Sequence, residues 1–67
     1  MNTEEIGNWA GIVWNALSNG GAMTIKDIKK ETKLREKDIF ASIGWLAREG
    51  KVEFVELPGV GEACRLV

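Results

Sequence analysis

The sequence predicts a mainly α chain that ends in one β-hairpin, and three observations carry that expectation. Apolar residues recur at helical spacing over Thr3 to Ser18 and again over Arg35 to Glu49. Glycines stand where such helices would stop, at Gly20-Gly21 and at Gly50. Beyond Gly50 the apolar period changes from helical to alternating, on both sides of Pro58-Gly59-Val60-Gly61. No repeat, low-complexity tract or linker interrupts the chain, so residues 1–67 read as a single domain.

Taking about 100° per residue, Ile6, Ala10, Val13 and Leu17 form one stripe of the first helix, with Trp9 beside it. Thr3 is the expected N-cap, and Glu4 and Glu5 suit the positive end of the helix dipole. Asn19-Gly20-Gly21 ends this helix, because glycine takes the left-handed conformation of a C-terminal cap. Thr24 starts a short second helix, to about Glu31, and Asp27 three residues on gives a capping box with Asp in the place of Glu. Ile25 and Ile28 face inward there, while Lys26, Lys29 and Lys30 face out. Thr32-Lys33 is a tight turn before Leu34, and the third helix follows with Ile39, Ser42, Ile43 and Leu46 on one face. In the hairpin, Val52 and Phe54 fall on one side against Glu53 and Val55, and Cys64 and Leu66 alternate with Ala63, Arg65 and Val67.

Composition excludes several classes. With 67 residues, an apolar fraction of 45% and Lys plus Arg 9 against Asp plus Glu 10, the chain is too apolar and too balanced in charge for disorder. Its apolar runs are too short for a membrane span or a signal-peptide core, so a soluble cytoplasmic protein without membrane partners is expected. One cysteine allows no disulfide framework, and the absence of histidine removes a Cys/His zinc site and a histidine base. No carboxylates pair by spacing, the acids read as scattered surface residues, and Cys64 reads as a buried structural thiol. Gly59-Val60-Gly61 lacks the strand-to-helix setting and the lysine of a phosphate loop. The chain is therefore expected not to be an enzyme, and to hold no metal, cofactor or small-molecule ligand.

Three helices with a short turn between the second and third, followed at once by a hairpin, are in the order of a winged helix-turn-helix. The stretch Leu34, Ile39, Ile43, Leu46 and Glu49-Gly50-Lys51-Val52 resembles the part of bacterial winged-helix regulators where the recognition helix runs into the first wing strand. Nearly the whole chain is similar to a family of short, stand-alone bacterial winged helix-turn-helix proteins known largely as a domain of uncharacterised function, with Gly44-Trp45-Leu46-Ala47-Arg48-Glu49-Gly50-Lys51 as the most telling string. The resemblance implies a third helix in the major groove of double-stranded DNA, with the second helix and the wing on phosphates.

Six basic residues between Lys26 and Asp38 (Lys26, Lys29, Lys30, Lys33, Arg35 and Lys37) face four acidic ones, a local charge of +2 in a chain of net −1. The lysines are candidates to neutralise phosphates; the alternative is a solvated helix face laced with ion pairs. On the third helix, the face opposite Ile39 and Ile43 carries Lys37, Ala41, Gly44 and Arg48, flanked by Phe40 and Trp45. Lys37 and Arg48 alone on that face are side chains of the base-reading kind. The wing turn, Leu57 to Glu62, has no cation and so departs from the pattern of a wing that contacts DNA.

A domain this small also gains from a partner that covers apolar area. Gly7 and Gly11 form a small-residue flank beside Trp14, and Ile12, Phe40 and Trp45 turn away from the expected core, which suggests a homodimer interface or, for the glycines, packing within the chain. The expected function is DNA-binding transcriptional regulation. The alternative is a homodimeric protein-interaction module that keeps the fold without binding DNA.

Overall fold

A computed structural model describes residues 1–67. Helix α1 spans Thr3–Gly20, α2 Ile25–Thr32 and α3 Glu36–Arg48, and strands β1 (Val52–Leu57) and β2 (Gly61–Leu66) form the hairpin. The expected N-cap of α1 is corrected by one residue: Asn2, in extended conformation, accepts the Glu5 N–H at 2.8 Å. Both residues are of capping type, and the one with extended backbone takes the role. At the other end Gly21, with φ 72°, donates its N–H to the Leu17 carbonyl at 3.0 Å. The capping box of α2 is formed as expected, the Asp27 N–H on Thr24 Oγ1 and the Thr24 N–H on Asp27 Oδ2, both at 3.1 Å.

β1 and β2 pair antiparallel, with Val52 opposite Leu66, Phe54 opposite Cys64 and Leu57 opposite Gly61. The sequence pattern had no means of showing a third, one-residue partner. Met23, in the connection between α1 and α2, exchanges both backbone hydrogen bonds with Cys64, at 2.9 and 2.8 Å. This bridge ties the hairpin to the helical body next to Gly20, over which the Met23 side chain lies.

The core runs from Ala10, Val13, Ala16 and Leu17 of α1 through Ile28 to Ile39, Ile43 and Leu46 of α3, and is closed by Met23, Val52 and Cys64. Each of the Val, Leu and Ile side chains contributes about 1.5–3 kcal/mol on full burial. Ile6, expected in this stripe, is only half-buried near the helix start. In β2, Ala63 and Cys64 are both buried although they point to opposite faces. Cys64 lies against the core, and the Ala63 methyl is small beside its register partner Val55 and beside Arg65 on the same face.

Candidate nucleic-acid interface

The turn from α2 to α3 is set by local hydrogen bonds. Thr32 Oγ1 donates to the Ile28 carbonyl at 2.7 Å and accepts the Leu34 N–H at 3.3 Å. Lys33 closes α2 in the left-handed region, φ 65°, with its N–H on the Lys29 carbonyl at 2.8 Å. A non-glycine residue there is uncommon and marks a turn held by its surroundings. Half-buried Leu34 packs on the core and anchors the connection.

Arg35 is the N-cap of α3 and makes no side-chain cap bond to the helix. Its guanidinium instead holds Asp38, with Nε 2.9 Å from Oδ2 and Nη2 3.4 Å from Oδ1. Asp38 is only 3% exposed, which corrects the expectation that the acids are all surface residues. Apolar periodicity could not find it. Its signal is the spacing Arg35-x-x-Asp38 at a helix start, where a carboxylate is favoured by the dipole and meets a cation one turn back. Ser42, also buried, donates to the Asp38 carbonyl at 2.7 Å and is thereby satisfied.

With this anchor in place α3 presents Lys37, Phe40, Gly44 and Arg48 to solvent and half-buries Ala41. Phe40 is 54% exposed in the middle of that face. Gly44 lies in the helix with nothing within 4 Å of where a Cβ would stand, so no contact within the chain requires glycine. On α2, Lys26, Lys29 and Lys30 recur at helical spacing on the exposed side, and Lys33 follows at the C-cap. Lys29 is turned toward α3, its Nζ 3.8 Å from Glu36 Oε2.

The ion pairs sort the cations. Of the nine Lys and Arg side chains, Lys29, Arg35, Lys51 and Arg65 hold Glu36, Asp38, Glu49 and Glu53 respectively. The remaining five, Lys26, Lys30, Lys33, Lys37 and Arg48, have no ion-pair partner, and all lie on α2, the turn or α3. The wing is opposite in character. Glu56 stands directly across from Glu62, next to the exposed Val60 at the tip.

The residues expected at a dimer interface do not gather on one surface. Ile12 and exposed Trp14 are two residues apart on α1, about 200° around the helix, and so belong to opposite flanks. Trp45, expected to turn away from the core, is half-buried against it. The ring lies toward Gly7 of α1, where a Cβ would stand 4.0 Å from Trp45 Cζ2, an ordinary contact, so this flank of α1 faces Trp45 within the chain and does not itself require glycine. Gly11, one turn on, is exposed and open. No helix is long and apolar enough to cross a membrane.

The chain belongs to the family of the winged helix-turn-helix domain (DUF2582), which matches residues 1–59. Among solved structures it is similar to protein BT2368 from Bacteroides thetaiotaomicron, with 29% identity and a TM-score of 0.85 over 98% of this chain and 79% of that one. It is also similar to the apo-Zalpha of zebrafish PKZ, with 21% identity and a TM-score of 0.83 over 92% of this chain and 95% of that one, a likeness of fold alone. No curated protein matches the chain.

Proposed function

We propose that this domain binds double-stranded DNA through the phosphate backbone, with α3 in the major groove and α2 beside it, in the service of transcriptional control. One observation carries the reading: every cation without an ion-pair partner lies on the helix-turn-helix, while the other four are spent on neighbouring acids. A merely solvated, ion-paired face would not leave its lysines unpaired in this one place. Gly44 supports the reading, since an open glycine in mid-helix lets a partner's backbone come close.

The chemistry is mainly that of positioning. Lys26, Lys30 and Lys33 suit phosphates, and Arg48 near the C-terminal end of α3 does too. Lys37, on the first turn, suits a phosphate as well and is also the side chain placed to reach a neighbouring base edge. The wing takes no part, because Glu56 and Glu62 would face phosphates with like charge. A DNA partner and a free, buried Cys64 fit a reducing cytoplasmic compartment.

The test is the salt dependence of binding to random duplex DNA. Five phosphate contacts give a slope of log K on log salt of about −4.5. No retention at low salt, where counterions are scarce and binding is strongest, overturns the reading.

A further inference from the structure

Cys64 spends its N–H and C=O on Met23, on the side of β2 away from β1. In an antiparallel ladder, residues opposite one another alternate between pairs that exchange both bonds and pairs that exchange none. Phe54, opposite Cys64, is therefore in a pair of the second kind, and its own N–H and C=O point away from β2. The hydrogen bond from the Val67 N–H to the Lys51 carbonyl, at 3.0 Å, fixes the same phase. Val52, Phe54 and Glu56 thus turn their backbone groups to the outer edge of β1, and no other strand lies there.

Such an edge is a template for another strand. It carries Phe54, which is 48% exposed although it shares a face with buried Val52 and Cys64. From this edge we infer that two copies of the chain associate through β1, antiparallel about a two-fold axis at Phe54, so that the two hairpins become one four-stranded sheet. The occupant is a second copy because the edge is complementary to itself in this register. Phe54 meets the partner's Phe54, and Val52 meets the partner's Glu56. All three outward-turned residues then exchange both bonds, and the two phenyl rings form a cross-strand aromatic pair. Neither glutamate opposes a glutamate, since Glu53 falls opposite the partner's Val55, and Glu53 is in any case held by Arg65 at 2.7 Å. Centring the pairing on Val55 instead sets Val52 against Pro58, which has no N–H to give. This surface is separate from the α2 and α3 cations, and the inference does not depend on DNA binding.

The test reads both association and register. Sedimentation equilibrium of the wild type gives a dimer, and the Phe54 and Glu56 amides gain protection from hydrogen exchange as concentration rises. Phe54→Lys and Phe54→Glu each put like charges face to face at the axis and weaken the dimer by about ten-fold or more. Mixing the two variants restores association as a heterodimer, because the introduced charges are then opposite. Phe54→Pro removes an N–H that the monomer does not use, so it abolishes the dimer while the helical circular dichroism is unchanged. A wild type that sediments as a monomer at millimolar concentration overturns the inference. So does a dimer whose Phe54 and Glu56 amides exchange freely, or a mixture no tighter than either variant alone.

Discussion

Replacing Gly44 with Ala separates what the fold needs at this position from what a ligand needs. Gly44 has ordinary helical backbone, is exposed, and meets no atom within 4 Å of the position a methyl would take. By the fold alone the substitution is favourable, since glycine inside a helix is about 0.5–1 kcal/mol worse than alanine. For a domain of this size 1 kcal/mol corresponds to roughly 4–8 °C in Tm, so Gly44→Ala should melt about 2–8 °C higher. In the proposed binding mode, the same methyl stands in the middle of the α3 face turned to the major groove. Crowding a close-packed contact costs about 1–3 kcal/mol, so duplex affinity should fall by roughly five- to a hundred-fold.

The assay pairs thermal unfolding by circular dichroism at fixed concentration with fluorescence titration of a labelled duplex at low salt. Gly11→Ala is the control, because Gly11 is equally exposed and open but lies on α1. It should gain the same stability and keep full affinity. A lower Tm for Gly44→Ala refutes the statement that the site is sterically free. A higher Tm with unchanged affinity refutes close approach of DNA to this face.

Three further outcomes are expected. Lys26→Ala, Lys30→Ala and Lys33→Ala combined should flatten the salt slope from about −4.5 to about −2, equally for all duplex sequences. Asp38→Asn should destabilise the fold by about 1–2 kcal/mol in chemical denaturation, through loss of the charge at the start of α3 and of its pairing with Arg35. The cost stays moderate because Arg35 is largely exposed and no charge is left buried. Burial, and secondarily the charge of Glu62, raise the pKa of Cys64 above the ordinary thiol value. The unfolded thiol therefore ionises first as pH rises, so the stability contributed below about pH 8.5 is lost as pH climbs through the folded value. Urea midpoints measured up to pH 10 should fall more steeply for the wild type than for Cys64→Ala.

What the sequence disclosed and what it withheld follow from how local each signal is. The capping box at Thr24 and Asp27 and the inward face Ile39, Ser42, Ile43 and Leu46 were legible because each is fixed within one helix by spacing alone. The Met23 to Cys64 bridge was not, since a one-residue pairing has no alternation to betray it. Asp38 was hidden for a different reason: its burial depends on a cation and a helix end rather than on hydrophobicity. Trp45 lies at the margin of its helix face, where the outcome depends on which part of another helix, here the Gly7 flank of α1, the fold brings beside the ring. At the candidate site, the identity of the lysines was readable and their availability was not. Whether a lysine is free depends on which carboxylate the fold brings beside it, as Glu36 is brought to Lys29.

The charge division between the helices and the wing bears on how the two proposals combine. The unpaired cations lie on α2, the turn and α3, whereas on the hairpin Glu56 faces Glu62, so that under the proposed binding mode the wing meets phosphates with like charge. A hairpin that DNA does not occupy leaves the β1 edge open to a second copy. A dimer joined at β1 carries two helix-turn-helix units, and if both engage one duplex, the salt slope doubles to about −9. The Phe54→Lys and Phe54→Glu mixture should restore that doubled slope, and either variant alone should return it to about −4.5 as long as the protein is below its dimer Kd. A wild-type slope near −4.5 at concentrations where the protein sediments as a dimer would mean that the two-fold axis holds one α3 away from the duplex. DNA binding and β1 pairing would then stand as separate properties of the same chain.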